Sequence, residues 1–377
     1  MTDEPTIRSH ESRPLGDEAR TTSFATHIIQ WQREHGRHDL PWQNTRDPYR
    51  IWVSEIMLQQ TQVSAVIPYY QRFLARFRDV QALAAAEEDE VLTHWSGLGY
   101  YARGRNLHRT ARLIAERHRG TFPSDFDAVR ALPGVGRSTA AAICVLAFGQ
   151  RRAILDGNVR RVLARHAGLR GYPGDKRVQD KLWQQAEALL PDSGIEAYTQ
   201  GLMDLGAGPC SRRSPQCVAC PVSEGCIALR DGLTAALPSP RPTRSLPQRE
   251  TAMLILMSRG EVLLEKRPAS GIWGGLWSFP EAGEGRIEEA ALRYGAQPDR
   301  LRRLAVVDHG FTHFKLRIRP VLAQVARPPG MQEPGQLWLT VDDALGAAIP
   351  APVKRILREL RGLHQVTERP VETAGNP

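Results

Sequence analysis

Apolar residues recur at three- and four-residue spacings through most of the first 230 positions. VSAVIPYYQRFLARF and ALAAAEEDEVLTHW each gather them on one face of a helix, with Gly or Pro punctuating the gaps. The pattern predicts helices over residues 23–230. It then breaks: residues 231–249, DGLTAALPSPRPTRSLPQR, carry four prolines and little periodicity, which predicts an extended, solvated linker. Beyond it, TAMLILMSRGEVLLEKRP reads as two short strands joined by a turn at Arg259 and Gly260. LRRLAVVDHGFTHFKLRIRPVLAQV gives another strand pair, and APVKRILRELRGL an amphipathic helix. Residues 250–364 are thus expected to form an α+β domain, with polar, disordered tails at 1–22 and 365–377.

At 377 residues with 41% hydrophobic content, two domains with ordinary cores are expected. A formal charge of +9 and a pI near 9.6 favour a polyanionic partner. No run of eighteen apolar residues occurs, so no membrane partner is expected. The N-terminal MTDEPTIRSHESRPLGDEAR lacks the apolar core of a secretory signal. The expected location is therefore cytoplasmic, bacterial-type and nucleoid-associated, where cysteines are more often ligands than disulfides.

Four of the five cysteines fall in CSRRSPQCVACPVSEGC, as Cys210, Cys217, Cys220 and Cys226. Four thiolates on one short loop can close around a single metal centre, either tetrahedral zinc or a 4Fe–4S cluster. Zinc sites typically pair two CxxC-like knuckles, and only Cys217 and Cys220 form one, which favours iron–sulfur. Cys144, in the apolar run AAAICVLAF, reads as core. Arg212 and Arg213 put positive charge on the loop.

LPGVGRSTAAA, starting at Leu132, sets Gly134 and Gly136 in an apolar turn ahead of Ser138 and an alanine-rich helix. A mononucleotide P-loop needs G-K-[ST] after the glycines, and Arg137-Ser138 stands here instead. Between two helices such a turn looks like a helix–hairpin–helix element. Its exposed N–H groups and the following helix N-terminus would hold one backbone phosphate without reading sequence. The alternative is a plain helix–turn–helix connection, against which the basic RRAILDGNVRRVLAR argues.

In PYRIWVSEIMLQQTQV, Glu55 is the one acid among apolar residues. A carboxyl desolvated in that way holds its proton at neutral pH and can act as a general acid. A lone Glu on a helix is otherwise a solvated or capping residue. Asp156, in ILDGNVRRVLAR, precedes a helix and could simply cap it, and a capping aspartate stays ionised and can face a developing cation.

LPWQNTRDPYRIWVSEIMLQQTQV, GLGYYARGRN, LPGVGRSTA, ILDGNVRRVLAR, MDLGA and the cysteine spacing together resemble the MutY family of adenine DNA glycosylases, in the helix–hairpin–helix superfamily. SGIWGGLWSFPE and HGFTHFKLRI extend the resemblance into the second domain, which in that family is Nudix-like. The implied fold is multidomain: an all-α helix–hairpin–helix glycosylase domain with one 4Fe–4S cluster on loop 210–226, plus an α+β Nudix-like domain. The implied activity is removal of adenine paired with 8-oxoguanine or guanine in double-stranded DNA, with the target nucleotide flipped out of the stack. By the same resemblance Glu55 protonates adenine, Asp156 stabilises the sugar cation, and Asn158 is a polar neighbour. Trp42 and Gln200 line the adenine pocket, while Gln60 and Tyr100 enter the stack beside the lesion pair.

Related bifunctional glycosylases carry a lysine where Ser138 stands. A hydroxyl cannot form an imine, so an essentially monofunctional hydrolase is expected. The second domain lacks the R-E-x-x-E-E pattern of hydrolytic Nudix enzymes. Phe311, Thr312 and His313 occupy the family's lesion-sensing Phe-Ser-His positions. A monomer is expected, with downstream repair proteins as further partners. The rival classes are an iron–sulfur glycosylase acting on oxidised pyrimidines and a non-enzymatic DNA sensor.

Overall fold

The structure, a computed structural model, describes residues 17–242, 245–283, 285–326 and 333–367. Of the expected tails, residues 1–16 and 368–377 lie outside the described residues, while 17–22 and 365–367 belong to helices. The helical part opens with α1 (Asp17–His35), α2 (Pro48–Leu58), α3 (Val63–Arg76), α4 (Val80–Ala85), α5 (Glu88–Trp95) and α6 (Ala102–Arg117). It continues with α7 (Phe126–Arg130), α8 (Arg137–Phe148), α9 (Gly157–His166), α10 (Lys176–Ala188), α11 (Ile195–Ala207) and α12 (Ile227–Arg230).

The chain divides across the stretch expected as one helical domain. One compact unit is Met1–Ile56 with Phe122–Pro242; the other is Met57–Thr121 with Thr243–Pro377. In the first unit, apolar faces of α1, α8, α9, α10 and α11 meet around Ile28, Val145, Leu163, Leu182 and Leu202. A Cβ on Gly201 would sit 2.8 Å from Ile28 Cγ2, so glycine sets how closely α1 and α11 approach.

The segment after Arg230 departs from a solvated linker. Leu237 is buried, its carbonyl accepts from Arg165 Nε at 2.8 Å, and Ser239 Oγ accepts from Gly171 N at 3.2 Å. Isolated prolines break periodicity without forbidding a single apolar anchor, and Leu237 is that anchor.

The second unit contains α3–α6 and a mixed sheet. Its strands are β1 (Gln248–Ser258), β2 (Glu261–Lys266), β3 (Trp277–Ser278), β4 (Glu281–Ala282), β5 (Arg302–Arg303), β6 (Val307–Gly310), β7 (Lys315–Gln324) and β8 (Gln336–Thr340). The order is β3-β2-β1-β7-β5, with β4 on β1, β6 on β7 and β8 on β2. β1 and β7 run parallel, from Gln248 opposite Lys315 to Met257 opposite Gln324, and the other pairs are antiparallel. Arg259 and Gly260 turn β1 into β2 with φ of 52° and 82°, as a two-residue hairpin turn requires. β1 is buried from Ala252 to Ser258, so it reads as a continuous apolar run. Helices α13 (Ile287–Arg293), α14 (Val341–Gly346) and α15 (Ala351–Thr367) complete the domain.

Within this unit the sheet domain is fastened to α5 and α6. Lys266 pairs with Asp89 at 2.6 Å, Arg105 donates to the Gly274 carbonyl, and the Tyr101 hydroxyl donates to Ile349 O at 3.2 Å. Gly275 has φ of 75°, a left-handed conformation that favours glycine, and a Cβ there would lie 3.3 Å from Glu88 Oε1.

Candidate active site

α2 starts cleanly: the Asp47 carboxylate accepts from Tyr49 N at 2.9 Å, and Pro48 takes the first helical position, where no N–H is needed. Ile51, Trp52, Val53, Ser54, Ile56 and Met57 are buried. Glu55 is carried among them and keeps a little accessible surface, but protein encloses its carboxyl. Burial pushes its pKa up from 4.5 to about 8, and the negative charge of Asp156 adds to the rise.

Asp156 caps α9, and its Oδ1 accepts from Val159 N at 2.7 Å. Burial raises this carboxyl too, while the N–H groups of Val159 and Asn158 and the charges of Arg161 and Arg160 pull it back down. Burial is the largest effect on both carboxyls and raises both, but Asp156 alone has N–H donors and cations opposing it, and Glu55 has the like charge of Asp156. With its pKa near 8, Glu55 holds its proton at neutral pH.

Ahead of Asp156 lies the glycine turn. Leu132 and Val135 are buried beneath it, and Gly134 has φ of 79°, a left-handed conformation that glycine adopts without strain. Gly136 is the N-cap of α8, and a Cβ there would meet no atom within 4 Å, leaving its backbone open. Ser138 faces inward: its Oγ accepts from Leu155 N at 2.9 Å, tying α8 to the residue before Asp156.

Behind Asp156 the site runs into the cysteine loop. Arg161 Nη2 donates to Asn158 Oδ1 at 2.9 Å and to the Gly206 carbonyl, while its Nε donates to Cys210 O at 2.8 Å. A Cβ on Gly206 would fall 2.6 Å from Asn158 Cβ. Arg165 donates to Ser211 O at 2.7 Å and to Cys210 Sγ at 3.4 Å. The Cys220 thiol is pushed up to about 11, by burial first and then by the charges of Cys210, Cys226 and Cys217. The four sulfurs are thus within electrostatic reach of one another. Among the described residues, no group of three or more His, Cys, Asp or Glu is arranged to hold a metal ion. The donor set still suits a thiolate-bound centre, because Arg161 and Arg165 bring cationic donors to the loop.

Trp42 is buried. Gln200 Nε2 donates to Asp204 Oδ1 at 2.8 Å, and the same buried carboxylate accepts from Arg37 Nε at 2.7 Å and Arg37 N at 2.9 Å. In the second unit, Gln60 and Tyr100 lie on separate loops, both exposed, with φ of 58° and 48°. Phe311 stacks on Phe314 at 4.5 Å between centroids, whereas Thr312 and His313 are exposed. Among the described residues no helix is long and apolar enough to cross a membrane.

Residues 53–188 match the HhH-GPD superfamily of base excision DNA repair proteins, and residues 251–359 match the NUDIX domain. Fold and site thus define a base-excision repair protein of the helix–hairpin–helix class with a NUDIX-type domain appended. The adenine DNA glycosylase of Buchnera aphidicola subsp. Acyrthosiphon pisum is 34% identical over 347 residues, spanning 90% of this chain and 97% of its own. That of Mus musculus is 34% identical over 418 residues, spanning 94% and 81%. A solved thermostable thymine-DNA glycosylase superposes with a TM-score of 0.52 at 31% identity, covering 57% of this chain and 98% of its own. The chain belongs to the adenine DNA glycosylase family.

Sequence reasoning did not single out Arg103, Arg161, Arg165, Arg37 or Asp204. The arginines sit in basic helical stretches that look like solvated faces. Asp204, in MDLGA, was the one legible signal, since a charge amid apolar and small residues is buried only with a partner.

Proposed function

We propose that this chain excises adenine paired with 8-oxoguanine or guanine in double-stranded DNA, by acid-assisted hydrolysis of the N-glycosidic bond. The observation that carries the reading is an enclosed carboxyl, Glu55, whose pKa burial pushes up to about 8 and which feels the charge of Asp156, the N-cap of α9. The target nucleotide leaves the stack, because no side chain reaches its glycosidic bond inside a duplex. Glu55 gives its proton to N7 of adenine, and the bond's electron pair departs with the neutral base. The ionised Asp156 faces the oxocarbenium-like sugar. Water adds to the sugar carbon and yields its proton to the Glu55 carboxylate, which restores the acid and leaves an abasic site. Ser138 has no amine, so the strand is not cut through an imine.

Around this centre, Trp42 and Gln200 line the adenine, Asn158 supports Asp156, and the Leu132–Ser138 turn holds a backbone phosphate. Gln60 and Tyr100 enter the stack, where a flat ring replaces lost base stacking. Phe311, Thr312 and His313 meet the 8-oxoguanine. Cys210, Cys217, Cys220 and Cys226 would hold one 4Fe–4S cluster, which bound there would brace the loop. The protein acts as a cytoplasmic monomer that hands the abasic site to downstream repair proteins.

Single-turnover assays on duplexes bearing A opposite 8-oxoguanine, G and C test the reading. Excision should be fast for the first two and slow for the third. Equal rates on all three, or release of an oxidised pyrimidine instead, would overturn it.

A further inference from the structure

Gln60 and Tyr100 both occupy left-handed backbone, which costs a non-glycine residue on the order of 1–2 kcal/mol. Tyr100 is also 49% exposed, so its ring gains little from burial. Something else must hold these loops. Arg103, in the first turn of α6, is buried and reaches both. Its Nη1 donates to Met57 O at 2.7 Å and Gln59 O at 2.6 Å. Its Nη2 donates to Thr61 Oγ1 at 3.1 Å, Gly99 O at 3.2 Å and Leu98 O at 3.4 Å. The guanidinium carbon lies 5.5 Å from the Tyr100 ring centroid.

We propose that Arg103 is the positioning residue that locks both loops in advance, so that Gln60 and Tyr100 meet the duplex as one preformed pair of probes. The proposal rests on the reading of those two residues as elements that enter the stack. Its acceptors bracket Gln60 on either side and immediately precede Tyr100. The two loops are about forty residues apart in sequence, and one planar fork of donors joins them. Burial lowers the Arg103 pKa to about 10, so the side chain stays cationic at neutral pH and its bonds are charge-assisted. Loops fixed beforehand lose no further conformational freedom on binding, which is where affinity is gained. The second loop has other anchors, Trp95 Nε1 to Gly99 O at 3.1 Å and Tyr69 Oη to Ser96 O at 3.0 Å. Arg103 is what couples it to the first. A lysine offers donors from a single point and cannot span four acceptors on two loops and a fifth at the end of α2.

The test is a double-mutant cycle on the full-length protein. Binding is measured to a duplex holding a non-hydrolysable 2′-fluoro-adenosine opposite 8-oxoguanine, and to the undamaged duplex. Arg103→Lys should weaken lesion binding ~10-fold or more and leave undamaged binding unchanged, a split that general destabilisation would not produce. In a Tyr100→Ala background the same substitution should add less than about twofold, because the probe it positions is gone. Wild-type lesion binding by Arg103→Lys, or a full additive loss on top of Tyr100→Ala, overturns the proposal. If Tyr100→Ala and Gln60→Ala alone leave lesion binding intact, the probe reading itself has failed and the proposal falls with it. Should Arg103→Lys not fold, Thr61→Val removes one acceptor and runs in the same cycle against Gln60→Ala, with the same non-additivity expected.

Discussion

Replacing Glu55 with glutamine should abolish excision and, at neutral pH, stabilise the protein. Glutamine keeps the shape and loses the transferable proton, so single-turnover release of adenine should fall by at least 100-fold, the lower range for a general acid. The stability gain follows from linkage. In the unfolded chain this carboxyl titrates near 4.5, and in the fold near 8, so between these values the native state binds one proton more than the unfolded state. Stability from this group is fully present below pH 4.5, declines as pH rises, and is lost once pH passes 8. At pH 7 the loss is 1.36 kcal/mol per unit over 2.5 units, about 3 kcal/mol. Glutamine carries no such term. Urea unfolding of wild type and Glu55→Gln at pH 5, 6, 7 and 8 should show a gap that opens steadily in favour of the variant. A gap independent of pH, or a variant less stable than wild type at pH 8, would refute the assignment of a buried, protonated carboxyl.

Four other outcomes follow from the same geometry. The wild-type excision rate should fall about tenfold per pH unit above pH 8, as Glu55 loses its proton; a flat profile from pH 7 to 10 would rule it out as the acid. Asp156→Asn keeps a capping oxygen but removes the like charge, so the infrared carboxylic-acid band of Glu55 should vanish at lower pH than in wild type; an unchanged midpoint would mean the two acids are not coupled. Ser138→Ala leaves the buried Leu155 N–H without its acceptor and should cost about 1–3 kcal/mol in chemical denaturation, while wild type should form no borohydride-trapped adduct with DNA. Gly206→Ala forces a methyl against Asn158 and should cost about 1–3 kcal/mol and slow excision; a variant matching wild type in both would show that the α9–α11 contact is not tight.

Periodicity made the helices, the β1–β2 hairpin and α15 readable. Local composition made the Asp156 cap and the glycine turn readable too, because each depends on neighbours within a few residues. The burial of Glu55 was legible for the same reason: its neighbours along α2, Ile51, Trp52, Val53 and Ile56, are apolar and buried. The break between Ile56 and Met57 was not, since amphipathicity tells which face is buried and not which element covers it. Arg103 was hidden because ARGRNLHRTARLIAER reads as a solvated basic face, and its acceptors come from two other loops. Arg161 was hidden likewise, with partners on α9, α11 and the cysteine loop. Leu237 lay in a proline-rich stretch whose composition predicts solvent, and a single apolar side chain leaves no periodic trace.

A proton delivered to a departing purine leaves free base as its direct product. Chromatographic measurement of adenine released from a duplex carrying A opposite 8-oxoguanine, with wild type and Glu55→Gln side by side, tests this step most directly. Stoichiometric adenine from wild type, an uncleaved strand bearing one abasic site, and none from the variant is the predicted result. No free adenine from wild type, or equal release from both proteins, would contradict it.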